Sequence, residues 1–532
     1  MKTAEIITRT MTIKRLLFPL VAMTLLVTGT FVLAMTHRLI DSNIPDTIGY
    51  VQASHQLARG EGLAFVDPNN QINERYYTLY AFKVVHADDR NRYFGYLPGV
   101  PLLAAAVERV TGDPEAVHAV QPMMAAVLVA FTYLFGALLI DHWTGLWASL
   151  ALAVAPILLG FSTALWSEVP SAVFLYLGCI LALLALRRIQ DDHRAAWLAV
   201  GGGLSIGVTF FMRFSNVTCI PMIVALAGLV GGRSIFRQRR VWLLIGSIGI
   251  SLLALLIFNT VYYGGPLDTG YSPIHGWYDQ PAFSLSYAFG SSFVGGYSVP
   301  AIINEFIVNF GGLLLFVLVG LITQPRWHGA WLLGLVFFML LPYATYAFAP
   351  QGPNARFIIP ALPAVCLLIG RGIMSIGVRL SNKSIRLAFG VLLTIGMLYK
   401  LPANLAALDQ VNQSAHAQVK YVQQLISSTE PNAVVMSYVF NDLIAVYGHR
   451  SVLNYRHMVP YDLVSGHYQY SQFEGVLITE VNRLLSQGIP VYYLLDSDPA
   501  LYDSYSILGR HFRLLPVING GSLYKVIQLT GS

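Results

Sequence analysis

The sequence predicts an α-helical polytopic membrane protein that ends in a small soluble α/β domain, and three observations predict it. Hydrophobic residues make up 55% of the 532-residue chain and charged residues only 11%, where a soluble domain carries roughly a quarter charged. Mean hydropathy is +0.59. Hydrocarbon of roughly 30 Å asks for about 20 apolar residues per helix, and the chain offers about eleven such stretches. They run 16–36, 117–140, 146–163, 170–186, 197–211, 217–231, 241–262, 303–322, 331–348, 357–369 and 387–401.

The first stretch is too long and too poor in small residues at its end for a cleaved signal, so it reads as a retained helix. Threading the spans alternately puts Lys14, Arg15, Arg187, Arg188, the Arg233–Arg240 cluster and Arg371–Arg386 on one side. By the positive-inside rule that side is cytoplasmic, with the N-terminus. The first polar loop, 37–116, the loop 264–300 and the C-terminal segment then face outward. The net charge of +6 is thereby a topology signal and argues against a nucleic-acid partner. Cys179, Cys219 and Cys366 lie within or at the ends of spans, which excludes a disulfide framework.

The chain therefore divides into a membrane domain, 1–402, and an α/β domain, 403–532. In the latter, apolar runs at 434–438, 491–495, 512–517 and 523–529 alternate with helical patterns at 415–427 and 474–487, the mark of mixed strands and helices. Gly520-Gly521 reads as a hairpin turn. His449, His457 and His467 are too scattered to make a metal site.

A first loop that only joined two spans would need a handful of residues. This one holds Asp46, Glu61, Glu74, Asp88, Asp89 and the turn Leu97-Pro98-Gly99-Val100-Pro101, and is a candidate active-site wall. Asp46 follows Pro45 and opens a short helix that Gly60 closes. Helix capping accounts for an acid there as well as chemistry does. Glu168 sits in the short turn Trp166-Ser167-Glu168-Val169-Pro170, where a carboxylate at membrane depth must face protein. Arg356 opens the tenth span from the outer side, against the positive-inside trend. An anionic phosphate is one partner for it, and snorkelling to lipid headgroups is the other explanation. The run Tyr262-Tyr263-Gly264-Gly265-Pro266-Leu267-Asp268-Thr269-Gly270-Tyr271 makes a tight re-entry at the end of the seventh span. His275 and Trp277 follow it. An interfacial aromatic belt accounts for such residues more simply than a ligand site does.

Taken in order, Pro45-Asp46…Tyr50, Tyr96-Leu97-Pro98-Gly99-Val100-Pro101, Ser167-Glu168-Val169-Pro170, Gly264-Gly265-Pro266-Leu267-Asp268-Thr269-Gly270-Tyr271 and Arg356-Phe357-Ile358-Ile359-Pro360 resemble the GT-C membrane glycosyltransferases. The resemblance is nearest to bacterial relatives of protein O-mannosyltransferases and of lipid A aminoarabinose transferases, and spans about 16–401. It implies an inverting transferase of the inner membrane that takes a hexosyl or pentosyl group from a polyprenyl-phosphate carrier to an acceptor at the outer face. It further implies Asp46 as the catalytic acid of the first loop, Glu168 as the second acidic position, and Arg356 as the phosphate contact. Tyr96, Tyr271, His275 and Trp277 are then candidates for substrate contact. The aminoarabinose transferases carry a lysine where this chain has Tyr96, so Lys83, Arg90 and Arg92 join Arg356 as candidates for the phosphate. No second acid adjoins Asp46, which argues against a metal held as in oligosaccharyltransferases. A divalent cation bridging Asp46 and Glu168 is the remaining cofactor reading.

Two other classes compete. A transporter or flippase of lipid-linked sugars would show intramembrane charges or paired broken helices, and internal ionisable residues here are few. A non-catalytic scaffold would present the C-terminal domain and need no Asp46.

Overall fold

The computed structural model describes residues 2–65, 77, 79, 81–83, 92–187, 193–270, 283–290, 298–346, 348, 350, 352–437, 439–458, 461–462, 467–468, 470–495, 503–517 and 522–529. Among them, ten helical segments are long and apolar enough to cross a membrane, and the protein is a multi-pass membrane protein. Of the eleven predicted spans, the third differs. In place of one helix over 146–163, the chain forms His142–Ala153 and then Pro156–Phe161. Pro156 has no amide hydrogen to continue the ladder and its ring clashes with the preceding turn, so the helix breaks and restarts. The last span also differs in extent: Lys383–Leu398 is followed by Leu401–Ser427, a helix that runs well past the predicted boundary at 402.

The chain divides into two compact units. The first comprises Met1–Leu39, His118–Ile257 and Phe283–Gln410, the second Ile40–Val117, Phe258–Ala282 and Val411–Ser532. The second unit thus gathers the first polar loop and the Gly-Gly-Pro motif with the C-terminal segment, which the sequence alone assigns to separate domains.

In the first unit, helices meet where side chains are small, since in lipid close packing substitutes for the missing hydrophobic drive. A Cβ added at Gly372 would stand 2.0 Å from the Phe316 carbonyl oxygen, and one at Gly320 would stand 2.1 Å from that of Leu368. Helices Leu314–Thr323 and Leu362–Arg379 therefore touch backbone to backbone, and alanine at either glycine would push them apart. Apolar side chains such as Leu253, Leu315 and Ile322 remain exposed on the protein, as surfaces covered by hydrocarbon do.

In the second unit, the first loop contributes β1 (Ala64–Phe65), β2 (Phe82–Lys83) and β3 (Arg92–Phe94), an antiparallel sheet of order β1-β3-β2. The C-terminal segment contributes β4 (Val434–Ser437), β5 (Ser451–Asn454), β6 (Tyr461–Asp462), β7 (His467–Tyr468), β8 (Val491–Leu494), β9 (Phe512–Pro516) and β10 (Leu523–Gln528). Five of these form a mixed sheet, β5-β4-β8-β10-β9, in which β4 runs parallel to β5 and β8 while β10 is antiparallel to β8 and β9. The four predicted apolar runs are β4, β8, β9 and β10. β5, Ser-Val-Leu-Asn, is too short and too polar at its ends to announce itself. The helix Phe473–Ser486 covers this sheet with Leu477, Val481 and Leu484. Side-chain hydrogen bonds tie the loop to this domain within the unit. Tyr77 Oη donates to Glu480 at 2.7 Å, the Ala81 amide to Asp442 Oδ1 at 3.1 Å, and Asn43 Nδ2 to Gln418 Oε1 at 2.7 Å.

Candidate functional site

The candidate residues fall in both units, Asp46 and Tyr96 in the second, Glu168 and Arg356 in the first.

Pro45–Arg59 is a helix, as the Pro start and Gly stop predict, with Gly60 at φ 81° ending it in the left-handed region that glycine tolerates. The N-cap position belongs to Ile44 and carries no side-chain capping bond, so Asp46 sits inside the first turn and is not the cap. Its side chain is almost buried, at 9% exposure. The phenol of Tyr96 donates to Asp46 Oδ1 at 2.5 Å. The Tyr96 ring is held in turn, stacked on Tyr50 at 5.3 Å and edge-on to Phe94 at 5.3 Å. A carboxylate oriented by a neutral phenol is a candidate acceptor for a proton or for a substrate hydroxyl.

Two sequence motifs converge behind Tyr96. The hydroxyl of Tyr263 donates to the carbonyl oxygens of Phe94 at 2.9 Å and Tyr96 at 3.1 Å. A Cβ on Gly270 would lie 2.0 Å from the Gly95 carbonyl oxygen. The Gly-Gly-Pro-Leu-Asp-Thr-Gly run thus returns onto the first-loop turn, and only glycine fits its last position. On the helix's other side His55 pairs with Glu108 at 2.8 Å. Arg109 donates to the Leu57 and Ala58 carbonyls, satisfying acceptors that a helix end leaves open.

In the first unit Glu168 begins the helix Glu168–Leu186 and is fully buried. Its Oε1 accepts from two arginines: Arg356 Nε donates at 2.9 Å, and Arg213 Nη1 forms a second, short contact. The Ser167 hydroxyl, itself accepting from Arg213 Nη1 at 3.0 Å, lies 3.5 Å from Oε2 and donates to it. Arg213 Nε donates to Tyr343 Oη at 2.8 Å. The Arg356 guanidinium lies 4.0 Å over the Trp166 ring, and that of Arg213 lies 4.9 Å from the Phe357 ring centre, contacts suited to a planar delocalised cation. Removing one partner from a buried cluster of this kind costs about 3–5 kcal/mol. Arg213 went unnoticed in the sequence. Its signal was the one that marks Arg356: a cation closing the fifth span on the side the alternation makes outer.

Arg356 lies in a 3₁₀ segment, Gly352–Ala361, that precedes the helix Leu362–Arg379. Prolines at 353, 360 and 363 deny the α-helical ladder its amide donors. At the join the Tyr176 hydroxyl donates to the Pro360 carbonyl at 3.3 Å and accepts from the Ala364 amide at 3.1 Å. One phenol bridges the gap in the ladder, and the segment bearing Arg356 is fixed from behind.

Lys83 and Arg92 lie in strands β2 and β3, with side chains outside the described residues; Arg90, Tyr271, His275 and Trp277 lie outside them altogether. Among the described residues no group of three or more His, Cys, Asp or Glu side chains gathers. At Glu168 two guanidinium groups hold Oε1.

A family model described as dolichyl-phosphate-mannose-protein mannosyltransferase matches residues 97–262, which include the first-loop turn, Glu168 and Arg213 and end at Tyr262. No curated protein matches the chain. Among solved structures, ArnT from Cupriavidus metallidurans bound to undecaprenyl phosphate is similar over 96% of this chain and 98% of its own, at 12% identity and a TM-score of 0.60. The Archaeoglobus fulgidus oligosaccharyltransferase in the apo form is similar over 97% and 75%, at 11% identity and a TM-score of 0.58. The A. fulgidus oligosaccharyltransferase AglB in complex with an inhibitory peptide and a dolichol-phosphate gives 96% and 74%, 11% identity and 0.54. The chain has the GT-C fold and resembles these glycosyltransferases.

Proposed function

We propose that the protein is an inverting glycosyltransferase that moves a hexosyl or pentosyl group from a polyprenyl-phosphate donor to an acceptor hydroxyl at the outer face of the membrane. The observation that carries this reading is the nearly buried Asp46 carboxylate, fixed by Tyr96 at the start of its helix. The similar ArnT holds undecaprenyl phosphate and the similar AglB a dolichol-phosphate, which supports a lipid-phosphate donor.

In this mechanism the acceptor oxygen attacks the sugar carbon opposite the phosphate and a new glycosidic bond forms. The bond from that carbon to the phosphate oxygen breaks and the electron pair leaves with the phosphate. Asp46 takes the acceptor's proton as general base. Arg356 offsets the charge that builds on the departing phosphate, with Lys83 and Arg92 as further phosphate contacts. Tyr96 orients the base and, with Tyr271, His275 and Trp277, contacts substrate. Glu168 serves the arginines it binds.

The test incubates the purified full chain in lipid nanodiscs with a panel of polyprenyl-phosphate sugars and a membrane extract as acceptor. Consumption of one donor and a product heavier by that sugar are the expected result. No donor consumed across the panel would end the reading.

A further inference from the structure

We infer that Arg213 is a second ligand of the donor phosphate, paired with Arg356 through Glu168, and that Glu168 is a positioning residue and neither base nor metal ligand. The inference rests on the lipid-phosphate reading above and adds to it a residue and a division of labour.

Glu168 is fully buried, with Oε1 held by both guanidinium groups and Oε2 at 3.5 Å from the Ser167 hydroxyl. One anion shared between two cations brings their forks together. Both forks are also held in plane. Arg356 lies on Trp166 and donates Nη1 to the Pro353 carbonyl at 2.8 Å. Arg213 lies against Tyr343 and Phe357 and donates Nε to Tyr343 Oη. Ser215 Oγ shares a further hydrogen bond with that hydroxyl at 2.6 Å, and the Tyr343 ring stacks on Phe357 at 4.7 Å. The cluster draws on four separate stretches of the first unit, around Glu168, Arg213, Tyr343 and Arg356. A pair of guanidinium groups preset at one point matches a phosphate, which presents several oxygens to planar donors. The two cations meet at one carboxylate oxygen. An arriving phosphate gains from both.

The test uses the full chain in nanodiscs, with undecaprenyl phosphate as binding probe and transfer kinetics with the donor identified above. Arg213→Gln is expected to weaken probe binding and raise donor KM about ten- to hundredfold, the worth of a charge-assisted hydrogen bond, with Arg213→Lys intermediate. Tyr343→Phe keeps the ring stack and so preserves the fold; losing one neutral bond, it should raise donor KM about two- to tenfold with kcat unchanged. Glu168→Gln should likewise act on donor KM. Wild-type probe binding by Arg213→Gln, or loss of kcat with unchanged donor KM in Glu168→Gln, would overturn the inference while leaving the transferase reading intact. Wild-type protein that binds no undecaprenyl phosphate would overturn both.

Discussion

Tyr96 reaches across 50 residues of chain to donate its phenolic proton to Asp46, at the position where the aminoarabinose transferases that the chain resembles carry a lysine. The substitution exchanges a cation for an orienting donor. Asp46→Asn retains an oxygen for Tyr96 and is nearly isosteric, so the variant should fold and insert normally. It should lose about 100- to 10,000-fold in kcat, the usual worth of a general base, with donor binding unchanged. Tyr96→Phe removes an orienting bond from the carboxylate and should lower kcat about two- to tenfold, the worth of one neutral hydrogen bond. Turnover and donor binding measured side by side check both, and full turnover in the Asn variant would remove Asp46 from the chemistry.

Replacement of Arg356 distinguishes a phosphate ligand from an interfacial anchor. Lysine can snorkel as well as arginine, but it lacks the planar fork that lies on Trp166 and reaches Glu168. Activity is expected in the order Arg, Lys, Ala, with the loss expressed mainly in donor KM. Equal activity of Arg356→Lys and wild type would favour the anchor.

Sidedness is checked by cysteine labelling from outside intact cells. Substitutions near Asn69, Ser284 and Ser471 should label, and those near Gln190 and Gln238 should not. The reverse pattern would put Asp46 in the cytoplasm and remove the outer-face mechanism.

The C-terminal domain carries a pH-dependent contact. Burial pushes the Glu430 carboxyl up, but hydrogen bonds from Lys525 and Tyr492 outweigh it and bring the pKa down from the ordinary 4.5 to about 2. A carboxylate whose pKa falls on folding stabilises the folded state above its unfolded value, and that contribution fades as pH drops through the folded one. Glu430→Gln should therefore lower the Tm of the full chain at pH 6. The difference should shrink between pH 4.5 and pH 2. Because the pair is half exposed, the effect is small. Equal Tm values for wild type and variant at pH 6 would show that the contact contributes nothing.

The membrane class, most spans, the Asp46 helix with its Pro start and Gly stop, and four of the five strands of the mixed C-terminal sheet were legible because each depends on local pattern: hydropathy over about 20 residues, turn chemistry, and alternation. The broken third span was legible in principle too, since Pro156 marks it. Glu168 and Arg356 stood out for a related reason, each being a charge where its place in the chain is unfavourable for charge, and Asp46 as the acid that follows Pro45 at a helix start.

Only the tertiary structure decided who meets whom. Nothing near Glu168 in sequence announces that Arg213 and Arg356, 45 and 188 residues away, share its Oε1. Nor does the first loop announce that it folds with the C-terminal segment through Asp442 and Glu480. The physical reason is one of range. Desolvation penalises a lone charge or a broken helix wherever it occurs, so those features are written in each segment. The partner that relieves the penalty is chosen by packing between segments far apart in sequence, and that choice exists only once the chain has folded.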